Sequence, residues 1–397
     1  MNPVLPDSSG ERLVALLSDV LGAAGDGIPL HEPSFQGNEL EYVKECLDTG
    51  WVSSVGKYVD EFERRLAAYT GVTHAIAAVN GTAALHVALL VAGVRAGDEV
   101  LLPALTFVAT ANAVSYCGAV PHFVDSCEQT LGVDPLALSA YLERIAERTP
   151  EGFRNRITGR RLAALVPMHT FGHPADMPAL NGIAEKFGLA VIEDAAESLG
   201  SQIGSRHTGS FGAMGVLSFN GNKILTTGGG GAILTDDPVL AARLKHLTTT
   251  GKQQHKWEFF HTDVAYNYRM PNLNAAIGCA QLESLPGFLE KKRRLAAAYS
   301  STFSGDGSFK FVVEPTGCSS NYWLNAIRVR GADRAQRDAL LTAANEAGYW
   351  CRPAWTLMHR LPMYDDCPRA ELPVAERLEL ELINLPSTPA LAERLKG

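Results

Sequence analysis

Four short segments of this sequence place chemically active side chains at the ends of apolar, strand-like runs. Lys223 follows the run GVLSFN, and Ser218 lies within that run, five residues before the lysine. Glu193 and Asp194 close the run LAVIED. Ligands of open α/β sheets bind at the carboxyl ends of the strands, so these side chains are candidates for one shared site.

The other two segments are AVNGTAALHVAL and LPALTFVAT. In the first, Asn80, Gly81 and Thr82 join a strand to a helix, whose free N–H groups would bind an anion such as a phosphate. The alternative is a plain helix cap by Asn80 or Thr82. In the second segment, Phe107 follows a strand, where an aromatic ring either packs in the core or stacks on a planar ligand.

Lys223 also has two interpretations. At the binding edge of the sheet, beside a phosphate pocket, its amine would lose water and become nucleophilic. The alternative is a solvated lysine followed by a glycine-rich hairpin, although four consecutive glycines exceed what a plain turn requires. We interpret the glycines as letting the backbone crowd a flat ring and its phosphate.

Together, the four segments supply a phosphate cradle, a stacking aromatic ring, a carboxylate and a lysine. These are the groups needed to hold pyridoxal 5'-phosphate. The carboxylate would keep the pyridine nitrogen protonated, and Lys223 would form the Schiff base and move the proton. The sequence therefore predicts a pyridoxal phosphate site.

Alternating apolar runs and helical stretches, which begin near residue 72, must position these segments. The alternation predicts an α/β fold with a mostly parallel central sheet covered by helices. The predicted strands are 74–79, 98–103, 120–125, 162–168, 189–194, 215–220 and 231–236. The predicted helices are 82–94, 109–118, 135–147, 176–187 and 237–247.

The pattern changes near residue 250. Residues 251–272 are polar, aromatic and irregular, and long connections of this kind tend to be functional. Beyond them the pattern predicts a long helix, a strand and a second helix, followed by proline-rich turns. These three elements are 273–304, 323–330 and 334–347.

This change divides the chain into an N-terminal helical extension (1–27), a large domain (28–262) and a smaller C-terminal α+β domain (263–397). Five apolar residues of the extension recur at helical spacing and predict a short amphipathic helix after a frayed start. They are Leu13, Leu16, Leu17, Val20 and Leu21. The acidic residues around and within this stretch argue against a secretory signal peptide.

Composition argues against several functions. The net charge of −8 gives no general attraction to nucleic acid or to an anionic membrane. No apolar run is long enough to span a bilayer, and KKRR at 291–294 is interpreted as a solvated helix face. Seven cysteines without a C-x-x-C pair indicate free thiols in a reducing cytoplasm.

A metal site is not expected. His169 and His173 flank a strand end, but no second cluster completes a zinc site of the usual spacing. His169 has two interpretations, either a position near the cofactor or packing at the strand end. We therefore expect a cytoplasmic protein with pyridoxal phosphate as cofactor and no metal.

Seven motifs together resemble the DegT-type nucleotide-sugar aminotransferases, which have the pyridoxal-phosphate-dependent transferase fold type I of aspartate aminotransferase. The motifs are WVSSVGKYVDEFE, NGTAALHVAL, LPALTFVATANAV, HTFGHPADM, IEDAAESLGS, SFNGNKILTTGGGG and YNYRMPNLNAAIG. The resemblance extends from residue 28 to residue 391, nearly the whole chain. It implies a homodimer with shared active sites that takes its amine from L-glutamate and releases 2-oxoglutarate.

The resemblance also assigns roles to individual residues. Lys223 matches the Schiff-base lysine, Asp194 matches the partner of the pyridine nitrogen, and Phe107 matches the aromatic that stacks on the ring. Four residues match contacts to the cofactor's phosphate, the last of them from the neighbouring subunit: Gly81, Thr82, Ser218 and Asn267. Four more match positions near the substrate: Arg269, His31, His359 and Tyr364.

Two departures from the family pattern bear on the substrate. Many relatives have glutamine at the position of Glu197, near the cofactor's phenolic oxygen, so an acid there has to be protonated or paired. Many relatives also read TTGEGG where this chain reads TTGGGG, so Gly229 removes a charge near the lysine. Both changes resemble the subgroup that makes UDP-linked 4-amino sugars for bacillosamine or legionaminic acid. Related dehydratases have histidine in place of Lys223.

We therefore expect a transaminase with ping-pong kinetics. Its acceptor would be the 4-keto carbon of a UDP-linked 2-acetamido-2,6-dideoxyhexos-4-ulose, and the product would serve surface glycan synthesis. One alternative keeps the chemistry but changes the acceptor to a GDP-linked 4-keto-6-deoxymannose or a 3-keto nucleotide sugar. Another is a regulatory module that binds the cofactor or the sugar without catalysis.

Overall fold

The computed structural model describes residues 8–395. The helices are α1 (Ser9–Leu21), α2 (Glu39–Thr49), α3 (Lys57–Thr70), α4 (Gly81–Val91), α5 (Val108–Tyr116), α6 (Pro135–Ile145), α7 (Met177–Lys186), α8 (Pro238–Thr248), α9 (Asn272–Phe303), α10 (Arg334–Glu346) and α11 (Pro373–Glu381). Short 3-10 turns lie at Thr170–Gly172, Met358–Arg360 and Pro389–Glu393.

The strands are β1 (His74–Ala78), β2 (Glu99–Pro103), β3 (Val120–Val124), β4 (Ala146–Thr149), β5 (Gly152–Asn155), β6 (Leu162–Leu165), β7 (Ala190–Asp194), β8 (Gln202–Ile203), β9 (Arg206–His207), β10 (Met214–Ser218), β11 (Gly231–Thr235), β12 (Phe309–Phe311), β13 (Cys318–Ser319), β14 (Asn325–Val329), β15 (Arg352–Pro353) and β16 (Leu382–Leu385). Each strand predicted from the sequence has an observed counterpart.

Seven of these strands form the central sheet, in the order β1-β11-β10-β7-β6-β2-β3. Strand β11 is antiparallel to both of its neighbours, and the other pairs are parallel. Every residue of β2 and β11 is buried, as expected for strands covered on both faces. The prediction of a mostly parallel α/β sheet is confirmed.

The predicted helix starts agree with the observed ones to within one residue, and side-chain caps mark several of them. Asp134, Asp176 and Asp237 each accept a backbone N–H from the helix that follows, and proline lies in the first turn of all three helices. Both features are typical of helix N-termini. Helix α10 begins with a capping box between Asp333 and Gln336.

A second, antiparallel sheet, in the order β12-β14-β16-β15, lies beside α1, α10 and the second half of α9. The predicted amphipathic helix is confirmed as α1, because its five apolar residues are all buried in the cluster of this sheet. Residues 1–7 of the predicted extension and 396–397 of the predicted small domain lie outside the described residues. The boundary between residues 262 and 263 stays a prediction.

Helix α9 joins the two apolar clusters. Ala275 and Cys279 pack in the cluster around the central sheet, whereas Leu295 and Tyr299 pack in the cluster of the second sheet. Pro286, which has no N–H to donate, lies inside the helix between these two groups. The helix is 32 residues long and therefore ties the two halves of the protein together.

The interpretation of KKRR as a solvated face is wrong for Lys292. This lysine is completely buried, and its ammonium donates to the carbonyl oxygens of Trp323 (3.0 Å) and Ser387 (2.6 Å). Burial lowers the pKa of Lys292 well below its ordinary value. Lys292 lies on the face of α9 that packs against the interior. Charge patterning alone did not indicate this.

The predicted irregular segment is confirmed, because no helix or strand occurs between the end of α8 and the start of α9. Trp257, Phe259 and Val264 of this segment are exposed. The sequence analysis did not predict α2, α3, α11 or the hairpin of β4 and β5. The predicted helix 135–147 ends at Ile145 because β4 begins there.

Within residues 8–395, no helix is both long and apolar enough to cross a membrane. The same part of the chain contains no group of three or more histidine, cysteine or acidic side chains that could hold a metal ion. All seven cysteines have free thiols.

Candidate active site

The four segments singled out from the sequence meet at one edge of the central sheet. They follow β1, β2, β7 and β10, which are parallel to one another, and a cavity of about 340 Å³ opens at their carboxyl ends. Such an edge is where open α/β sheets bind ligands. Seven of the predicted site residues line the cavity: Gly81, Thr82, Phe107, Asp194, Glu197, Ser218 and Lys223.

The start of α4 forms one end of the cavity. The Asn80 side chain accepts the N–H of Ala83 (2.8 Å), so the predicted cap is present. The cap and the anion site are compatible, because Gly81 and Thr82 of the same turn line the cavity together with Ser218. This end combines helix N–H groups with a hydroxyl, which suits a phosphate.

The glycine run does not line the cavity, and two of its members are needed for packing. A Cβ atom on Gly231 would lie 2.6 Å from the carbonyl carbon of Asn80, and one on Gly230 would lie 2.3 Å from Thr227 Oγ1. Gly228 has a positive φ of 79°. The structure does not support our interpretation that the glycines crowd the ring; Gly231 instead lets β11 approach the turn before α4.

The two acids at the end of β7 point in opposite directions, as successive residues of a strand do. Glu193 faces away from the cavity and accepts the N–H groups of Gly209 (2.8 Å) and Gly212 (2.7 Å). Asp194 lines the cavity, where its Oδ2 accepts the hydroxyl of Thr110 (2.6 Å). Of the two acids, Asp194 is therefore the one available to a ligand.

His169 packs against Glu193. Its ring is completely buried, Nδ1 accepts the N–H of Ala175 (3.0 Å), and Nε2 lies 2.9 Å from Glu193 Oε2. Both ring nitrogens are thus used within the protein. Of the two interpretations left open for His169, the structure supports the packed strand-end histidine.

The ring of Phe107 is 46% exposed and lines the cavity. A core residue would be buried, so the alternative of simple core packing is wrong for Phe107. Its nearest aromatic neighbour is Trp355, with ring centroids 6.2 Å apart. The free face of Phe107 suits a planar ligand.

Lys223 and Glu197 form an ion pair inside the cavity, with 3.3 Å between Nζ and Oε1. The other carboxylate oxygen of Glu197 accepts the N–H of Phe171 (2.9 Å). Burial raises the pKa of Glu197 to about 7, although the charge of Lys223 opposes this shift. The two conditions expected for an acid at this position, pairing and partial protonation, are therefore both met near neutral pH.

Two bulky residues beside this pair have left-handed backbones, Phe171 with a φ of 56° and Tyr322 with a φ of 47°. Such conformations cost about 1–3 kcal/mol each and cluster at functional sites. Asn321 connects the turn of Tyr322 to the segment of Glu197: its Oδ1 accepts the N–H of Trp323 (2.8 Å), and its Nδ2 donates to the carbonyl of Glu197 (2.9 Å).

Five predicted site residues do not line the cavity: Asn267, Arg269, His31, His359 and Tyr364. Asn267 is exposed, and its Oδ1 accepts two N–H groups of Arg269 (3.0 Å each). His359 lies 3.6 Å from Glu376, and the buried Tyr364 hydroxyl donates to Asn112. Their contacts with cofactor or substrate stay predictions.

His31 is the member of this group with an electrostatic link to the cavity. Neither ring nitrogen is exposed, and neither has a hydrogen-bond partner within the described residues. Burial lowers the pKa of His31 well below its ordinary value, and the charges of Lys292 and Lys223 lower it further. The imidazole is therefore neutral and has two unused hydrogen-bonding positions.

Sequence reasoning missed two indole rings that line the cavity, Trp323 and Trp355. Both belong to the C-terminal part of the chain, at least 100 residues after Lys223. Trp323 begins a predicted strand, but periodicity gives no signal for which distant surface such a residue reaches. Only the packing of the two sheets places these rings over the cavity.

Comparison with known proteins assigns this site to a family. A model of the DegT/DnrJ/EryC1/StrS aminotransferase family matches residues 33–395. The GDP-perosamine synthases of Caulobacter vibrioides and of Escherichia coli O157:H7 are each 38% identical, over 368 and 365 residues, covering 92% of this chain and 94% of each relative. The solved structure of the aminotransferase TlmJ from Streptoalloteichus hindustanus has a TM-score of 0.83 at 30% identity, covering 93% and 96% of the two chains.

The chain therefore belongs to the DegT/DnrJ/EryC1/StrS aminotransferase family, and it is a sugar aminotransferase that depends on pyridoxal 5'-phosphate. The side chains of the cavity fit this cofactor. Asp194 offers a carboxylate, Lys223 an amine, Phe107 a free aromatic face, and the start of α4 a phosphate site. When bound, the cofactor supplies a carbon that carries the amine and a ring that accepts electrons.

Proposed function

We propose that this enzyme transfers an amino group from L-glutamate to the 4-keto carbon of a GDP-linked 4-keto-6-deoxymannose. The observation that carries the proposal is the 38% identity, over 92% of the chain, to two GDP-perosamine synthases. The cavity supports the chemistry, because it places an amine, a carboxylate and an aromatic face around one space.

The proposed roles follow from the contacts of each residue. Lys223 would move the proton at the cofactor's reacting carbon and at C4 of the sugar, as general acid and base. Asp194, held by Thr110, would keep the cofactor's ring nitrogen protonated. Glu197 pairs with Lys223 across 3.3 Å. Phe107 would cover one face of the cofactor's ring.

The phosphate end of the proposed site is built by Gly81, Thr82 and Ser218. The net charge of −8 makes this local arrangement necessary, since the protein as a whole repels anions. We also propose that the unpartnered imidazole of His31 contacts substrate, because two polar ring atoms without a partner are costly in a buried position.

The GDP-linked acceptor replaces the UDP-linked sugar expected from Glu197 and Gly229. Those two departures led to the UDP expectation through local motifs, whereas the similarity to the GDP-perosamine synthases covers nearly the whole chain. The nucleotide is recognised far from the reacting carbon, so motifs around the lysine carry little information about the base.

We further propose a homodimer with shared active sites in the cytoplasm. Asn267 and Arg269 lie on the irregular segment before α9, and Asn267 is exposed at the surface of one chain. An exposed position is required if Asn267 reaches the phosphate of the neighbouring subunit. Arg269 would then lie near the anionic substrate of that same site.

The proposal is tested by offering the purified enzyme, loaded with pyridoxal 5'-phosphate, L-glutamate and one of three acceptors. These are GDP-4-keto-6-deoxymannose, a UDP-2-acetamido-4-keto-2,6-dideoxyhexose and a 3-keto nucleotide sugar. We expect a GDP-linked 4-amino sugar, with 2-oxoglutarate beyond one equivalent per site, from the first acceptor alone. Mass spectrometry identifies the product, and NMR shows whether the new amine is axial or equatorial.

Lys223→Ala should abolish turnover with every acceptor, while Lys310→Ala, which changes an exposed lysine, serves as the matched control. Efficient conversion of the UDP-linked sugar with no turnover of the GDP-linked one would overturn the proposed acceptor. Full turnover by Lys223→Ala would overturn the assignment of the lysine itself.

A further inference from the structure

The amine of Lys223 lies over the face of an indole ring. Its Nζ is 4.0 Å from the ring centroid of Trp323, well within the range in which an ammonium group is attracted to an aromatic face. On another side, Nζ is 3.3 Å from Glu197 Oε1. The amine therefore has two close contacts, the indole face and the carboxylate, that fix its position.

Trp323 is held by three hydrogen bonds, one from the indole and two from the backbone. Its Nε1–H donates to the carbonyl of Asn222, the residue before Lys223 (2.7 Å). Its backbone N–H donates to Asn321 (2.8 Å), and its carbonyl accepts the buried ammonium of Lys292 (3.0 Å). Trp323 is only 4% exposed, so the ring has little freedom to move away.

The same framework sets the position of Glu197. Asn321 Nδ2 donates to the carbonyl of Glu197, and Phe171 donates its N–H to the Glu197 carboxylate. The indole face and the carboxylate are thus fixed relative to one another by the two turns with left-handed residues. The indole of Trp323 and the carboxylate of Glu197 therefore form two fixed sides of the space that the Lys223 amine occupies.

We propose that Trp323 is a positioning residue that holds the amine of Lys223 whenever this amine is not bound to the cofactor. The inference rests on the proposed role of Lys223 as the proton carrier. A lysine that leaves and returns in each half-reaction needs a resting place within reach of the reacting carbon. The indole face and Glu197 provide that place.

The test measures how fast Lys223 is acylated by an amine-specific reagent, because only the uncharged amine reacts. The full-length enzyme is loaded with pyridoxamine phosphate, in which state the Lys223 amine is free, and labelling is followed by mass spectrometry. Lys310, an exposed lysine, provides the internal reference. The variants are Trp323→Phe, which keeps an aromatic face, and Trp323→Leu, which removes it.

We expect labelling of Lys223 to increase about two- to thirtyfold in Trp323→Leu and by much less in Trp323→Phe, because a cation–π contact of ordinary strength is lost only in the first. The rate of the glutamate half-reaction should fall in Trp323→Leu, with little change in glutamate affinity. Trp355→Phe, at the other indole of the cavity, should leave the labelling rate of Lys223 unchanged.

Equal labelling of Lys223 in the wild type and Trp323→Leu would overturn the inference. Equal increases in Trp323→Phe and Trp323→Leu would also overturn it, since the Nε1 hydrogen bond rather than the ring face would then be responsible. If Trp323→Leu fails to fold, incorporation of fluorinated tryptophans weakens the ring face without changing its shape. Labelling of Lys223 should then rise with each added fluorine, and a flat response contradicts the proposal.

A separate measurement distinguishes failure of this inference from failure of the proposed function. Loading the wild type with pyridoxal phosphate instead of pyridoxamine phosphate should protect Lys223 from the label. Protection without any effect of Trp323 would leave the lysine assignment intact and refute the role of the indole. Absence of protection would refute the lysine assignment itself.

Discussion

Glu197 is a buried acid of the cavity, and its environment shifts its pKa towards neutral pH. Burial raises its pKa from an ordinary value of 4.5 to about 7, and the nearby charge of Asp194 contributes in the same direction. The ammonium of Lys223 and the N–H of Phe171 act against this shift. A small change in pH near neutrality therefore changes the charge of Glu197 beside Lys223.

This shift predicts a pH-dependent difference in stability between the wild-type apoenzyme and Glu197→Gln. Below the ordinary pKa, the carboxyl is protonated in both the folded and unfolded chains. As the pH rises towards 7, the unfolded chain ionises first, so the wild type loses stability that Glu197→Gln keeps. From about pH 5 to about pH 8, we expect the variant to gain up to about 3 kcal/mol relative to the wild type.

Urea unfolding of the two apoenzymes at both pH values measures this difference. Glu290→Gln, which neutralises an exposed acid, is the matched control and should show no such gain. A constant difference between the wild type and Glu197→Gln across the range would mean that Glu197 ionises at its ordinary pKa.

At the scale of secondary-structure elements, the turn at Thr170–Gly172 and the segment before β14 form one unit. Gly172 has a φ of 94°, and a Cβ atom placed on it would lie 1.9 Å from Asn321 Oδ1. The carbonyl of Gly172 accepts the hydroxyls of Ser201 (2.7 Å) and Ser320 (3.1 Å). Contacts between the two elements, rather than either element alone, determine where Phe171 and Trp323 lie.

We therefore expect Gly172→Ala to lower the free energy of unfolding far more than a glycine substitution whose only cost is backbone strain. Gly204→Ala is the matched control, because Gly204 also has a positive φ (58°) but no atom within 4 Å of an added Cβ. Gly204→Ala should lower the free energy of unfolding by about 1 kcal/mol. Gly172→Ala should cost several times more, since Asn321 has to move and its hydrogen bonds are lost.

Thermal unfolding together with the glutamate half-reaction checks this expectation. The half-reaction should slow in Gly172→Ala at temperatures where the variant is still folded, because Trp323 and Glu197 shift relative to Lys223. Similar stability and similar half-reaction rates in the two variants would show that the turn tolerates a larger residue.

At the scale of the whole molecule, the proposed homodimer with shared active sites predicts complementation between two defective subunits. Lys223→Ala lacks the amine, and Asn267→Ala lacks the proposed phosphate contact to the neighbouring site. In a mixed dimer, one site carries both defects and the other carries neither. A random equal mixture should therefore regain about a quarter of wild-type activity.

Mixing after unfolding and refolding, or co-expression with two affinity tags, provides the mixed dimers. The control refolds each variant alone, so that every site carries one of the two defects. Activity of the mixture equal to the mean of the two separate variants would contradict a site shared between subunits, whereas recovery on mixing alone would support it.

The sequence predicted the elements of the large sheet because its strands are continuously apolar and its helices begin at Asp–Pro caps, as at Asp134 and Asp237. It also predicted the residues that meet at the carboxyl ends of parallel strands, such as Asp194 and Lys223, since topology alone brings them together. The hairpin of β4 and β5 was missed because its residues are polar and only partly buried.

Other features of the site depend on contacts between residues that lie far apart along the chain. No local sequence pattern encodes such contacts. Trp323 and Trp355 reach the cavity only because the second sheet packs beside the first. Lys292 has the charge of a surface residue, yet it lies in the interior because Trp323 and Ser387 present carbonyl groups to it. Tertiary contacts between distant segments override local charge and periodicity at these positions.

Helix α9 has a consequence for how this chain could change in length. Its first half faces one apolar cluster and its second half faces the other, on a single run of 32 residues. Inserting one residue near Gly287 would rotate everything beyond it by about 100° and expose Tyr299 and Leu295 to water. Homologous chains should therefore differ in length within the irregular segment before α9, and keep the spacing along the helix fixed.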